Sequence, residues 1–177
     1  MNTTQAVSWL TDLLDEGRLS PCRALILSAE MADEAIALAR HGFHALVVDT
    51  DKEALRKLKS RAKSEEAVVD TIHGDAFSVR PGFFGPVELV CDRTFIHTLE
   101  PVQRGDWSHL VGRILPENGC LAGLFRIGRR KSGPPFSITL AELEHALSRL
   151  FVTERLEPIG SSVPGADQVY RGIFRHE

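Results

Sequence analysis

Arg23-Ala24-Leu25-Ile26-Leu27-Ser28 and His44-Ala45-Leu46-Val47-Val48-Asp49-Thr50 are the two stretches on which the reading of the fold turns. Each is a short, nearly continuous apolar run, the pattern of a strand buried on both faces. Between them, Glu30 to Arg40 places Ala35, Leu38 and Ala39 at helical spacing. His41-Gly42-Phe43 is a short return in which Gly42 suits a left-handed cap. Such a strand–helix–strand unit opens folds that bind nucleotide-type ligands, where an acid closing the second strand, here Asp49, can accept ribose hydroxyls. The loop that carries glycines in those folds reads Ser28-Ala29-Glu30-Met31-Ala32-Asp33 and has none. Architecture and loop point in opposite directions.

Outward from this unit, a first helix is expected over Thr3 to Glu16, with Trp9, Leu10, Leu13 and Leu14 on one face and Gly17 as its stop. After Asp49, Thr50-Asp51-Lys52-Glu53 reads as a capping box that opens a basic amphipathic helix to about Lys63. Ala67 to Ile72 and Val87 to Asp92 read as strands three and four, and Cys120 to Ile127 as strand five. Helices are expected over Pro101 to Leu115 and Thr139 to Leu150, and Phe151 to Pro158 with Gln168 to Arg175 as a closing hairpin. The fold class is therefore α/β: a three-layer αβα sandwich around a mostly parallel seven-stranded sheet with a C-terminal antiparallel hairpin. Residues 1–177 form one domain, with residues 1–20 as a partial cover.

The 177 residues carry a net charge of −3, which argues against broad contact with nucleic acid or an acidic membrane surface. No apolar run is long enough to span a bilayer, and no basic-then-apolar segment opens the chain, so a cytoplasmic protein is expected. Cys22, Cys91 and Cys120 lack a C-x-x-C pairing and fit reduced thiols. The seven histidines show no metal-ligand spacing and most read as surface or turn residues, so no metal site is expected.

In an open α/β sheet, ligands bind outside the carboxyl ends of the strands. That rule selects Ser28, Ala29, Glu30 and Met31, then Asp49 and Thr50, then Gly74, Asp75 and Ala76, and finally Cys91, Asp92, Arg93 and Thr94. Asp49 either holds a ribose or only caps the next helix; Thr50 and Asp51 already supply that cap, which favours the ligand role. Asp75 suits a loop that bonds an adenine amino group, or a plain turn. Cys91 is a small core residue at a strand end that borders the same site. Glu30 places a negative charge where a phosphate would sit, which disfavours a dinucleotide. A rim of Glu30, Asp49, Asp75 and Asp92 favours a ligand without phosphate that carries a cation. Arg126, Arg129, Arg130 and Lys131 form a basic run after strand five, either a solvated loop or an attractor for an acidic substrate.

Cys91-Asp92-Arg93-Thr94 through Glu100-Pro101, then Arg104, Trp107 and Leu110, the turn Leu115 to Gly119, and Gly133-Pro134-Pro135-Phe136 together resemble the thiopurine S-methyltransferase family. The resemblance runs from about Leu13 to the end of the chain. That family comprises class I S-adenosylmethionine-dependent methyltransferases, including bacterial enzymes acting on thiols, selenium and tellurium compounds or halides. The resemblance implies that Asp49 binds the cofactor ribose and that Asp75 and Ala76 line the adenine pocket. Asp92 and Arg93 would sit where methyl donor and acceptor meet, as the catalytic pair, with Arg93 touching the substrate. Gly133 to Phe136, Pro134 and Phe136 in particular, would cover the site. The family's first loop usually reads Pro-x-Cys-Gly-x-Gly, so the loop here predicts weakened affinity for S-adenosylmethionine. Trp9 and a short helix stand where the family has a longer aromatic arm.

Three functions follow as alternatives. The first is a small-molecule methyltransferase using S-adenosylmethionine on a thiol or related soft nucleophile, acting as a monomer or homodimer. The second is a methyltransferase-like module that has lost catalysis and serves in binding or regulation. The third is a dinucleotide-dependent oxidoreductase, disfavoured by Glu30.

Overall fold

The computed structural model describes residues 3–82, 84–129, 132–160 and 166–177, with side chains from residue 8 onward. In chain order the elements are α1 (Thr3–Asp15), β1 (Arg23–Ile26), α2 (Ala32–Arg40), β2 (His44–Asp49), α3 (Lys52–Ser64), β3 (Val69–His73) and β4 (Leu89–Asp92). They continue with α4 (Phe95–Thr98), α5 (Arg104–Ile114), β5 (Cys120–Ile127), α6 (Leu140–Leu147), β6 (Phe151–Ile159) and β7 (Gln168–His176). The seven strands form one sheet in the order β3-β2-β1-β4-β5-β7-β6. β1 to β5 pair in parallel, whereas β7 runs antiparallel between β5 and β6. This is a Rossmann-like, mostly parallel α/β sheet closed by an antiparallel hairpin, as the alternation of strands and helices predicts.

Alternation along the central strands builds two cores. Ala24 and Ile26 of β1, with Ala45 and Val47 of β2, face α1, α2 and α3, where Trp9, Leu10, Leu13, Leu38, Leu55 and Leu58 pack. Leu25, Leu46 and Val48 face the other way, onto Trp107, Leu110 and Val111 of α5 and Leu143 and Leu147 of α6. Trp9, Leu10 and Leu13 are each at most 1% exposed. At about 1.5–3 kcal/mol for each buried aliphatic side chain, these contacts are what dock α1.

The register then creates the site. Ile26 pairs with Val47 on one side and with Cys91 on the other, so the carboxyl ends of β1, β2 and β4 finish together. After β1 the chain winds outward to β2 and β3, then crosses back to β4 on the other side. The crevice outside that reversal is where an open α/β sheet takes its ligand.

Local differences from the sequence reading have local causes. The glycine-free loop makes a short 3-10 turn, Ala29–Met31, before α2 begins at Ala32. Asp51, and not Thr50, caps α3: its Oδ1 accepts from the backbone N–H of Glu53 at 2.9 Å and of Ala54 at 3.0 Å. The one-turn helix α4 was not anticipated, because its cap is a side chain of β4. The end of the basic run, Arg130 and Lys131, lies outside the described residues, as do residues 161–165 of the connection between β6 and β7. Among the described residues no helix is long and apolar enough to cross a membrane.

Candidate active site

Two cavities open at the carboxyl edge of the sheet. The first, about 290 Å³, is lined by Ser28, Glu30, Asp49, Asp51, Asp75 and Phe95, with Thr50, Gly74 and Ala76 in its floor and walls. The second, about 480 Å³, is lined by Glu30, Arg93, His97, Arg126, Pro134 and Pro135. Glu30 and Thr98 belong to both, so the two form one bent crevice.

Asp49 ends β2 half-buried. Its Oδ2 accepts from Ala29 N–H at 2.7 Å and from the Ser28 hydroxyl at 3.3 Å, while Oδ1 accepts from Asp51 N–H at 2.8 Å. A carboxylate offers about four acceptor positions, so these partners leave one open. The same carboxylate that faces the cavity thus pins the glycine-free loop. Met31 is fully buried in the core beneath that loop, and its sulfur accepts from Arg93 N–H at 3.3 Å. Glu30 stands exposed on the rim. Neither side chain plugs the crevice.

Asp75 lines the first cavity, and its Oδ1 accepts from Phe77 N–H at 3.0 Å. Thr50 contributes its backbone, whose carbonyl accepts from His73 Nε2–H at 3.1 Å. Among the described residues no lysine or arginine lines the first cavity, whereas Glu30, Asp49, Asp51 and Asp75 all do. A cationic ligand is favoured there.

Asp92 departs from the expected rim. It is fully buried and lines neither cavity. Its carboxylate turns inward, accepting from Phe95 N–H at 2.8 Å, Ile96 N–H at 3.1 Å and Trp107 Nε1–H at 2.8 Å. Burial pushes its pKa up to about 6 against the opposing pull of those donors. Asp92 therefore shapes α4 and leaves the rim to Asp51. Cys91 is likewise fully buried, its thiol pushed well above the usual range by burial, and lines neither cavity. Ala29 reaches the site through its N–H alone.

Arg93 lines the second cavity but its guanidinium reaches back to α2. Nε donates to Glu34 at 2.5 Å, and Nη2 donates to Glu34 at 3.3 Å and to the Glu30 carbonyl at 3.1 Å. His97 is buried at 2% exposure, unlike the surface or turn position read for most of the histidines. Its Nδ1–H donates to the Phe136 carbonyl at 2.7 Å, and its Nε2 accepts from Arg126 N–H at 3.1 Å. Burial lowers its pKa, and with both ring nitrogens engaged it is a neutral brace. That brace positions the Gly133–Phe136 loop: Pro134 and Pro135 form the wall of the second cavity, whereas Phe136, expected against the substrate, lines neither cavity and is bonded through its backbone to His97. Arg126 faces the second cavity from β5, whereas Arg129 borders a separate cavity beside Arg104. Among the described residues no group of three or more metal-binding side chains occurs.

A family model described as "Thiopurine S-methyltransferase (TPMT)" matches residues 6–175. The chain belongs to the thiopurine S-methyltransferase family. A relative from Arabidopsis thaliana, described as "Probable thiol methyltransferase 2", is 26% identical over 141 residues, covering 78% of this chain. The chain spans 62% of that relative's length. Among solved structures, a protein of Pyrococcus horikoshii OT3 superposes with a TM-score of 0.80 at 19% identity, covering 98% of this chain and 91% of that one. The N-methyltransferase NodS of Bradyrhizobium japonicum WM9, solved with S-adenosyl-L-homocysteine, gives 0.75 at 14% identity, covering 98% and 84%. Magnesium protoporphyrin IX methyltransferase of Synechocystis PCC 6803, solved with S-adenosylmethionine, gives 0.77 at 12% identity, covering 98% and 79%. At such identities these structures establish the fold.

For this member of the thiopurine S-methyltransferase family, residues that line the site, Asp51 and Phe95 among them, and one that holds Arg93 from the core, Glu34, escaped the sequence reading. Asp51 was read only as a cap, yet it also faces the first cavity. Phe95 follows Asp92 too closely to read as part of a strand end, and its ring packs at 5.5 Å from Phe77 beside the first cavity. Glu34 looked like an ordinary acid in the first turn of a helix. Its lack of an (i, i+4) basic partner was the one available signal.

Proposed function

We propose that the chain is an S-adenosylmethionine-dependent methyltransferase whose acceptor is a small thiol or a related soft nucleophile. The observation that carries this reading is the acid-lined cavity beside Asp49, continuous across Glu30 and Thr98 with a second chamber. The residues present fit an adenosyl ligand. The open position on Asp49 accepts a ribose hydroxyl, and the Ser28 hydroxyl, the longest of its present contacts, is the one a second hydroxyl displaces. The Asp75 carboxylate faces the adenine amino group, and Phe95 flanks the base.

Bound S-adenosylmethionine supplies a methyl group on a positively charged sulfur, electrophilic without help from a protein acid. The chain's task is to hold donor and acceptor in line and to exclude water. Glu30, Asp49, Asp51 and Asp75 favour the positive charge, and a glycine-free loop is tolerated because Met31 turns inward. In the second chamber His97 has no nitrogen left for a proton, and Arg93 and Arg126 are cations. Such a chamber suits a nucleophile that reacts without a dedicated base, as a soft sulfur does. The thiol named in the description of the Arabidopsis relative agrees with this choice.

Calorimetry with S-adenosylmethionine and S-adenosylhomocysteine tests the reading. Saturable binding is expected, weakened about tenfold or more in Asp49→Ala through loss of a charge-assisted hydrogen bond. Mass spectrometry should show methyl transfer to a simple thiol. A folded protein that gives neither heat at millimolar ligand nor transfer would be the non-catalytic module.

A further inference from the structure

Glu34 is an acid with no exposed surface, set in the core between α1 and α2. Its two partners come from opposite directions. Arg93 reaches it from β4 through Nε and Nη2, and Trp9 Nε1–H of α1 donates to it at 3.3 Å. Ala35, Leu38 and Trp9 itself make this an apolar neighbourhood. Burying a carboxylate there is unfavourable unless it is paired, and apolar replacements for buried ion pairs are often neutral or stabilising. Packing alone does not explain the pair.

The first cavity supplies an explanation. Among the described residues it is lined by four carboxylates and no lysine or arginine, and Arg93 lies in the adjoining chamber. A guanidinium left without a partner would be drawn toward those acids and would fill the space a ligand needs. Glu34 instead holds it across the glycine-free loop, where Nη2 also bonds the Glu30 carbonyl. Held there, Arg93 presents positive charge on the same chamber wall as the negative Glu30, a match for the zwitterionic end of an amino acid.

We propose that Glu34, fixed by Trp9, is a positioning residue that keeps Arg93 out of the adenosine cavity and sets it for the methionine arm of the donor. The proposal rests on the donor-binding reading above and names a residue that reading does not use. It predicts a selective defect: the arm of the ligand is affected while adenosine, held on the Asp49 side, is not.

The test measures affinity for S-adenosylhomocysteine and for adenosine by calorimetry, without turnover. Glu34→Gln keeps shape and one acceptor for Trp9 but removes the charge. It should weaken S-adenosylhomocysteine about tenfold, as a coupling of ordinary size between contacting residues gives, and leave adenosine within about twofold. Trp9→Phe should produce a smaller loss of the same selectivity. In an Arg93→Gln background, Glu34→Gln should add little, because its effect runs through Arg93. Equal losses for both ligands, or additive losses in the double variant, would overturn the proposal and leave Glu34 as a packing residue. If Glu34→Gln does not fold, Trp9→Phe decides, since it leaves the ion pair intact. A wild-type chain that binds neither ligand would remove the donor reading itself, a result distinct from a lost selectivity.

Discussion

A single carboxylate shows how position along a strand decides between binding and building. Asp49 and Asp92 both close parallel strands, but Asp49 meets the crevice and Asp92 is turned under α4 with three donors. The raised pKa of Asp92, about 6 against an ordinary 3.8, has a sign that can be checked. Between those values the folded chain holds the proton that the unfolded chain has lost, so this group's contribution is largest below about pH 4 and declines as pH rises to about 6. At 1.36 kcal/mol per pH unit the full effect is about 3 kcal/mol. Asp92→Asn removes it. The stability advantage of wild type over Asp92→Asn, from urea unfolding, should therefore shrink as pH is raised from 4 to 7; a gap that widens contradicts the assignment. The same residue marks the boundary of what was legible. A rule about strand ends finds Asp49, Asp75 and Asp92 together, but side chains alternate across a strand and the last residue can turn either way. Only the partner, Trp107 fifteen positions on, decides for Asp92. Glu34 was hidden for the same reason, since both its partners are distant in sequence.

At the scale of elements, β5 and β7 join through an opposed glycine pair. Gly123 and Gly172 face each other in register, and the rings of Phe125 and Phe174 fold back over them, centroids 5.7 Å apart and nearly perpendicular. A Cβ on Gly123 would come within 2.6 Å of the Asp92 carbonyl and 2.7 Å of the Phe125 ring. The ring could shift, but the carbonyl belongs to the paired strand β4. Gly123→Ala is thus expected to destabilise by about 1–3 kcal/mol, the range for overpacked cores. Chemical denaturation should show a lowered midpoint with an unchanged slope. By contrast, Asp51→Ala loses a cap on an exposed helix and should lose about 1 kcal/mol. Elements of this kind were legible where a period repeats: the apolar runs of β1, β2, β4 and β5 and the helical faces of α1 and α5 need only local sequence. The glycine pair and the α4 turn depend on neighbours in the sheet or on one side-chain rotamer. No window of sequence contains those.

The whole molecule can report ligand binding through buried thiols that do not line the crevice. Burial pushes Cys22 to about 11 and Cys120 to about 12, and Cys91 well above the usual range. Thiols so placed are almost entirely protonated at neutral pH and react slowly with disulfide reagents. Cys91 lies on β4 at the centre of the sheet with no exposed surface, so its labelling requires the sheet to open. A ligand that binds only the folded chain at 100 times its dissociation constant stabilises it by about 2.7 kcal/mol. For a chain of this length that corresponds to a rise in melting temperature of about 5–11 °C. If closing outpaces labelling, the rate at Cys91 follows the open population and should fall about a hundredfold with S-adenosylhomocysteine at that concentration. Asp49→Ala, tested at the same ligand concentration, should lose about tenfold of that protection, labelling about tenfold faster than ligand-bound wild type in proportion to its lost affinity. Peptide mapping after pulsed alkylation separates Cys91 from Cys22, which is half-buried and opens more easily. Labelling of Cys91 that ignores a ligand bound by calorimetry would mean that β4 opens locally without dismantling the crevice beside it, and would contradict this prediction.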